Sequence, residues 1–236
     1  METYPRTCVV VPTYNEKENI AQLVKELDGL RVPSLTVLFV DDSSPDGTAG
    51  EIRREGETRP WVNLLLRTGK RGFSSACQDG LRDAISRLDP SILISMDADM
   101  QHPPSTIPSL IEAIEHGADV AVASRYVEGG GVEGWSFSRR IVSSVANSYA
   151  RVLLGLPVKD CTSGFKAFDR NAAEKITSAK LRTKRFEYQI ETLSLLKGFK
   201  IVEVPYTFVT RKAGQSKLRF WDLPRYFFAI AAMKLG

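Results

Sequence analysis

Asp97 and Asp99 are separated by a single residue, Ala98, and the amide of Gln101 follows at the next alternate position. Along an extended chain alternate side chains project to one side, so these three oxygen-bearing groups can face one ligand. Carboxylate and amide oxygens suit hard divalent cations such as Mg2+ or Mn2+, above all when phosphate completes the coordination. A second acidic pair, Asp41-Asp42, is costly to hold together unless its surroundings offset the repulsion. Acids there suit hydrogen bonds to a ribose or base, or simply the start of a following helix. Asp46, in Ser44-Pro45-Asp46-Gly47, fits a turn as readily as a ligand site. Neither histidine reads as a catalyst: His116 fits a helix end beside Gly117, and His102 shapes the turn before Pro103-Pro104.

The elements that must carry these groups alternate along the first half. Apolar runs at 7–11, 35–40, 62–66, 92–96 and 119–123 read as buried strands. Between them, Ile20, Leu23, Val24 and Leu27 mark one helix, with Asn15 as its cap and Glu18 completing a capping box. Phe73, Cys77, Leu81 and Ile85 mark a second helix, and Ile107, Leu110, Ile111 and Ile114 a third. Strands apolar throughout and separated by helices predict an α/β fold, Rossmann-like, with a mostly parallel central sheet covered on both faces. Ligands of such sheets bind beyond the carboxyl ends of the strands. The polar groups at 12–16, 41–42, 97–101 and 124–125 all fall at such ends. No Gly-x-Gly-x-x-Gly and no phosphate-loop signature is present, which disfavours a nicotinamide dehydrogenase or a P-loop NTPase.

The second half is less regular. The spacing predicts a helix over 139–154 with Ile141, Val145 and Val152 inward, a short strand at 165–168 and a helix over 186–196. Residues 200–209 read as a strand in which Pro205 favours an edge or bend. A loop around Gly214 then leads to an amphipathic helix from about Asp222. The formal net charge of +4 is too small to indicate nucleic-acid binding. The last 26 positions, however, hold six basic residues against Asp222 alone, beside Trp221, Leu223, Tyr226, Phe227, Phe228 and Ile230; the charges suit a solvated face or an anionic surface, and the apolar set a lipid interface, a membrane-bound partner or completion of the core. Cys8, Cys77 and Cys161 are far apart, Cys8 in an apolar strand run and Cys77 on an apolar helix stripe, so buried thiols are expected and not a zinc site. No apolar run reaches the roughly 20 residues of a membrane span, and no signal peptide is visible, which suggests a soluble or peripheral chain.

Seven stretches in order carry a specific likeness: VVVPTYNEKENI (9–20), VDDSSPDGT (40–48), RTGKRGFSSA (67–76), MDADMQHPP (96–104), VASRYVEGGGVEGWSFSRR (122–140), KDCTSGFKAFDR (159–170) and GQSKL (214–218). With them the chain resembles the family 2 glycosyltransferases of the GT-A fold, and within these the dolichyl- or polyprenyl-phosphate mannosyltransferases. The resemblance implies one catalytic domain over 1–236, with a nucleotide-sugar half (1–125), an acceptor half (126–220) and an amphipathic helix (221–236). It implies that Pro12, Tyr14, Glu16 and Asp42, with Asp41 and Asp46 less directly, hold the nucleotide, and that Lys70 lies near the base or ribose. Asp97, Ala98, Asp99 and Gln101 match the metal and diphosphate site, with Asp99 and Gln101 as ligands and Asp97 in support. Arg125 and Arg139 match the basic residues that receive the acceptor phosphate. Arg211, Ser216 and Lys217 match a loop that closes over the substrates.

The implied reaction is inverting transfer of mannose from GDP-mannose to dolichyl or polyprenyl phosphate, with Mg2+ or Mn2+ as cofactor. The alternatives are transfer of glucose from UDP-glucose to the same acceptor, or a sugar-nucleotide-binding scaffold subunit without activity. The implied partners are the nucleotide sugar, the lipid phosphate, and a membrane surface or a small membrane-anchoring subunit. The implied location is peripheral, on the cytoplasmic face of the endoplasmic reticulum in a eukaryote or of the plasma membrane in a prokaryote.

Overall fold

In the computed structural model, residues 4–69, 72–183, 185, 187–209 and 223–235 are described. Lys70, Arg211, Ser216, Lys217 and Trp221, together with the loop around Gly214, lie outside them. The first half follows the alternation of its apolar runs. It comprises β1 (Thr7–Thr13), α1 (Lys17–Gly29), β2 (Leu35–Asp41), α2 (Thr48–Thr58), β3 (Val62–Leu66), α3 (Phe73–Arg87), β4 (Ile92–Ser95), α4 (Ile107–Glu115) and β5 (Val120–Ser124). The second half adds β6 (Gly131–Glu133), α5 (Phe137–Leu154), β7 (Lys166–Asp169), α6 (Arg170–Ser178), α7 (Tyr188–Leu195), β8 (Ile201–Pro205), β9 (Thr207–Val209) and α8 (Leu223–Leu235).

Seven strands form one sheet in the order β3-β2-β1-β4-β7-β5-β8, with β7 antiparallel to both neighbours and the other pairings parallel. Val9, Val11, Val37 and Phe39 point into one core layer, whereas Cys8, Val10, Leu38 and Val40 point into the other. That split within single strands is why these segments are apolar at every position and not at alternate ones. Cys8, Cys77 and Cys161 are buried free thiols, as expected.

Four expectations are corrected. Asn15 does not cap α1; it adopts a left-handed φ of 58°, and Asp46 instead accepts the Lys17 backbone N–H at 3.1 Å. Residues 200–209 are two strands, since after Pro205 the chain leaves the large sheet and β9 pairs with β6. Helix α6 was not foreseen; it begins where the Asp169 side chain accepts the Ala172 N–H at 2.7 Å. Finally, α5 is turned the other way: Ile141, Val145 and Val152 are exposed, and Ala146, Asn147, Ala150 and Leu154 are buried. Small residues permit the close approach on the inner face. Asn147 is tolerated there because Thr162 satisfies both ends of its amide, its N–H donating to Asn147 Oδ1 and its Oγ1 accepting from Nδ2.

Candidate active site

At the carboxyl end of β2 the two adjacent acids are stabilised separately. Asp41 is fully buried and accepts hydrogen bonds from the Thr13 hydroxyl (3.1 Å), the Ser44 N–H (2.9 Å) and the Ser44 hydroxyl (2.6 Å). Asp42 accepts the Gly72 N–H at 2.9 Å and lies 2.9 Å from Arg67 Nη1 in a buried ion pair. Arg67 also donates to Ser75 Oγ and approaches Asp79 at 3.3 Å, so β3 and α3 are tied to the end of β2. Asp46, after the left-handed Gly47 turn is made, accepts from the Thr48 N–H and hydroxyl as well as from Lys17, joining the starts of α1 and α2. Its slight burial would raise the carboxyl pKa, but the Thr48 hydroxyl and the backbone N–H groups outweigh that and lower it. Exposed Tyr14 and half-buried Glu16 follow β1 at the same end, and Pro12 is half-buried within the strand itself. A shallow cleft of about 300 Å³ is lined by Asn15, Glu16, Lys17, Glu18, Asn19 and Asp46.

Extended geometry stops before the Asp97 loop. β4 ends at Ser95, and Met96 makes one last sheet contact, donating to the Val10 carbonyl at 3.2 Å. Alternate projection therefore does not apply to Asp97, Asp99 and Gln101. Instead the chain bends: Asp97 is half-exposed, Ala98 and Asp99 are buried, and Asp99 Oδ1 accepts the Gln101 N–H at 3.0 Å. Met100 is held at a φ of 63°, costly for a residue with a Cβ. Asn15 and Ser43, which follow β1 and β2, share this left-handed backbone. Strain of this kind persists where surrounding contacts over-determine the chain, and ligand sites are common places for it. The same conformation recurs in Arg31, Ser34 and Asp89, in the turns at the opposite end of the sheet, so it is not peculiar to the site.

Two carboxylates and an amide supply hard oxygen donors, but no group of three His, Cys, Asp or Glu able to hold a metal is found among the described residues. The set fits a divalent cation that takes its remaining oxygens from a bound diphosphate.

Beyond β5 the chain builds a guanidinium wall. Asp160 is fully buried and receives four hydrogen bonds, from the Arg125 backbone N–H, Arg125 Nε, Arg125 Nη2 and the Thr162 hydroxyl. Arg125 Nη2 also donates to Thr162 Oγ1 at 2.7 Å. Burial alone would lower the Arg125 pKa, but the charge and hydrogen bonds of Asp160 hold it above its ordinary value. A Cβ at Gly130 would come within 2.5 Å of the Ser124 carbonyl oxygen, so only glycine lets the 127–130 turn fold back on the end of β5. The Arg125 guanidinium lies over the rings of Tyr126, Trp135 and Phe208 at 5.4–5.6 Å. Arg139, in the first turn of α5, lies 4.3 Å over Trp135. Its pKa is lowered by burial and then by the charge of Arg125, which places two like charges against one aromatic ring. The indole N–H of Trp135 is buried without a hydrogen-bond partner among the described residues.

The acidic loop and the guanidinium wall share one aromatic floor. His102 stacks on Phe165 and meets the edges of Tyr206 and Phe208, and Phe208 in turn meets Trp135 at 5.4 Å. Arg67, Asp160, Trp135 and His102 were not singled out as site residues from the sequence. All four lie within the stretches that carry the resemblance, but nothing in their local pattern says which partner each one meets.

Residues 8–177 match the profile of Glycosyl transferase family 2. The chain belongs to that family. Among the proteins this family 2 chain is similar to is the polyprenol monophosphomannose synthase of Mycolicibacterium smegmatis, 38% identical over 96% of this chain and 86% of the relative. The dolichol-phosphate mannosyltransferase of Pyrococcus furiosus is 39% identical over 91% of this chain, which spans only 59% of that protein. Among solved structures, the mannosyltransferase PcManGT of Pyrobaculum calidifontis, in complex with GDP-Man and Mn2+, superposes with a TM-score of 0.66. At 21% identity, covering 98% of this chain and 65% of that one, it supports the GT-A fold alone.

Proposed function

We propose that this family 2 transferase moves mannose from GDP-mannose to a polyprenyl phosphate with inversion at the anomeric carbon. The observation that carries this reading is the shared aromatic floor, a chain of ring contacts with an oxygen-rich acidic loop at one end and a pair of guanidinium groups at the other. An oxygen of the lipid phosphate attacks the anomeric carbon, the bond to the diphosphate breaks, and the nucleoside diphosphate departs with the bonding electrons. A phosphate monoester with a second pKa of about 6 is largely dianionic near neutral pH. It needs no side-chain base, consistent with an acceptor wall of arginines and not of Asp-His pairs.

In this reading Arg139 meets the acceptor phosphate directly, since its guanidinium makes no hydrogen bond among the described residues and lies flat on Trp135. Arg125 has two of its three nitrogens committed to Asp160 and Thr162, so it fixes the wall and adds its field. On the donor side Asp42 and Glu16 face the nucleoside, and Asp97, Asp99 and Gln101 would hold Mg2+ or Mn2+. Bound there, the cation would neutralise charge on the leaving diphosphate.

The lipid acceptor requires a seat at the membrane, and we place it on α5 and α8. Phe137, Val152 and Phe228 are 79%, 77% and 77% exposed, with Ile141 and Val145 between the first two. Neither helix contains an acid, and together they carry Arg139, Arg140, Arg151, Arg225 and Lys234. An exposed apolar stripe on helices whose charged residues are all basic complements an anionic bilayer surface. No described helix is long and apolar enough to cross a membrane.

The decisive assay incubates the purified chain with GDP-mannose or UDP-glucose, a short prenyl phosphate and each metal in turn, followed by mass spectrometry of the lipid. A mannosyl-phosphoryl-prenol product is expected. A glucosyl product would overturn the donor assignment, and donor binding without transfer would overturn catalysis. Flotation with anionic vesicles tests the seat. Val145→Asp with Val152→Asp is expected to release the protein, whereas release only on withdrawal of an anchoring protein would refute it.

A further inference from the structure

Met96 is the last residue of its segment to donate to the sheet, so the next amide, that of Asp97, needs another acceptor. His102 supplies it: its Nδ1 accepts the Asp97 N–H at 3.0 Å, from five residues further along the chain. The bend that presents Asp97, Asp99 and Gln101 is thus closed twice, once by Asp99 on the Gln101 N–H and once by this imidazole. His102 is itself only 3% exposed, and residues of the second half fix its plane. It stacks on Phe165 with centroids 5.1 Å apart and an 18° tilt. Behind it, a Cβ at Gly164 would come within 3.3 Å of His102 Cε1 and 3.0 Å of Gln189 Nε2, so the ring is packed closely against this glycine.

We infer that His102 is a positioning residue of the donor site: an acceptor nitrogen, aimed by the wall of the acceptor side, that sets the conformation of the acidic loop. This rests on the reading of that loop as the cation and diphosphate site. The role needs a lone pair at Nδ1, which leaves the ring proton on Nε2. His116 differs, since its Nδ1 lies 2.7 Å from the Glu112 carbonyl oxygen and must donate there. A packing role would need the flat ring alone and would be indifferent to its nitrogens. A positioning role separates His102→Phe, which keeps a ring on Phe165 but offers the amide no acceptor, from His102→Asn, whose Oδ1 falls close to the place of Nδ1.

Two measurements on the full chain test the inference. Mn2+ binding in the presence of GDP, followed by electron paramagnetic resonance of the free ion, is expected to weaken about 10–100-fold in His102→Phe. In His102→Asn it is expected to return close to the wild-type value. Nitrogen NMR of 15N-histidine in a His116→Gln background, which leaves one signal set, is expected to show Nδ1 of His102 without a proton. Wild-type binding in His102→Phe, no recovery in His102→Asn, or a protonated Nδ1 would each overturn the inference. Should His102→Phe fail to fold, the NMR tautomer decides. If the wild-type chain itself binds no Mn2+ with GDP, the donor-site reading fails, and with it the role that His102 is given.

Discussion

Replacing Asp160 by Asn keeps its shape and removes its charge. The carboxylate accepts four hydrogen bonds, three from Arg125 and one from Thr162, and both partners of the ion pair are buried, with side-chain exposures of 8% and 0%. An Asn amide can present one oxygen to these donors; its nitrogen then faces donors at short range. Removing one partner of a buried pair costs about 3–5 kcal/mol, chiefly because the remaining charge is left uncompensated. Unfolding entropy of about 2.1 cal/mol/K per residue over 236 residues gives roughly 0.5 kcal/mol/K, so Tm falls by roughly 6–10 °C. Calorimetry of the single variant and of Asp160→Asn with Arg125→Met makes the test specific. If the loss is an orphaned charge, the double variant recovers part of it, with a coupling of about 2 kcal/mol or more. Additive losses, or a single variant within about 1 kcal/mol of wild type, would refute the pairing as the source of order at the acceptor wall.

Other substitutions probe separate links. Asp99→Ala is expected to cut transfer by more than about 100-fold with the fold intact, since His102 still closes the loop when the Asp99 hydrogen bond to the Gln101 N–H is lost; near-normal turnover at saturating metal would defeat it. Asp46→Ala removes hydrogen bonds that start both α1 and α2 and is expected to cost about 1–2 kcal/mol in urea unfolding. Lys166 is fully buried, and burial lowers its pKa from 10.5 to about 7 despite the nearby charge of Asp160. Between those values the unfolded chain holds the proton and the folded chain does not, so this group makes stability rise with pH by up to about 1.4 kcal/mol per unit. Lys166→Met should remove that slope between pH 7.5 and 9.5; an unchanged slope would mean the amine stays charged in the core.

The first half was legible because its signals are local. A strand buried on both faces must be apolar throughout, and a helix between two such strands must show one apolar stripe, whatever else the chain does. The acids at 41–42 and 97–101 stand out because nothing apolar explains them. The second half failed where burial depends on partners distant in sequence. On α5 the most apolar stripe faces outward, and the inner face is Ala146, Asn147 and Ala150, acceptable because Thr162 and the Ser143 carbonyl satisfy the Asn147 amide. The same holds for His102: its ordinary turn position before two prolines hides that Gly164 and Phe165 make its pocket.

Charge cancellation limits what the residues around the aromatic floor can offer a ligand. Arg67 is matched by Asp42, and Arg125 by Asp160, each pair inside the protein, so neither contributes a net charge toward solvent. The two ends of the aromatic floor carry groups of opposite sign, half-exposed Asp97 on the acidic loop and half-buried Arg139 on the guanidinium wall. On the proposed reading a diphosphate approaches the acids of the loop, which oppose it unless a divalent cation comes with it. A lone phosphate meets a guanidinium and needs no such companion. On the proposed reading the two anionic substrates are therefore sorted by whether they carry a metal, with the ring of His102 lying between the acidic loop and the guanidinium wall and held by residues of both.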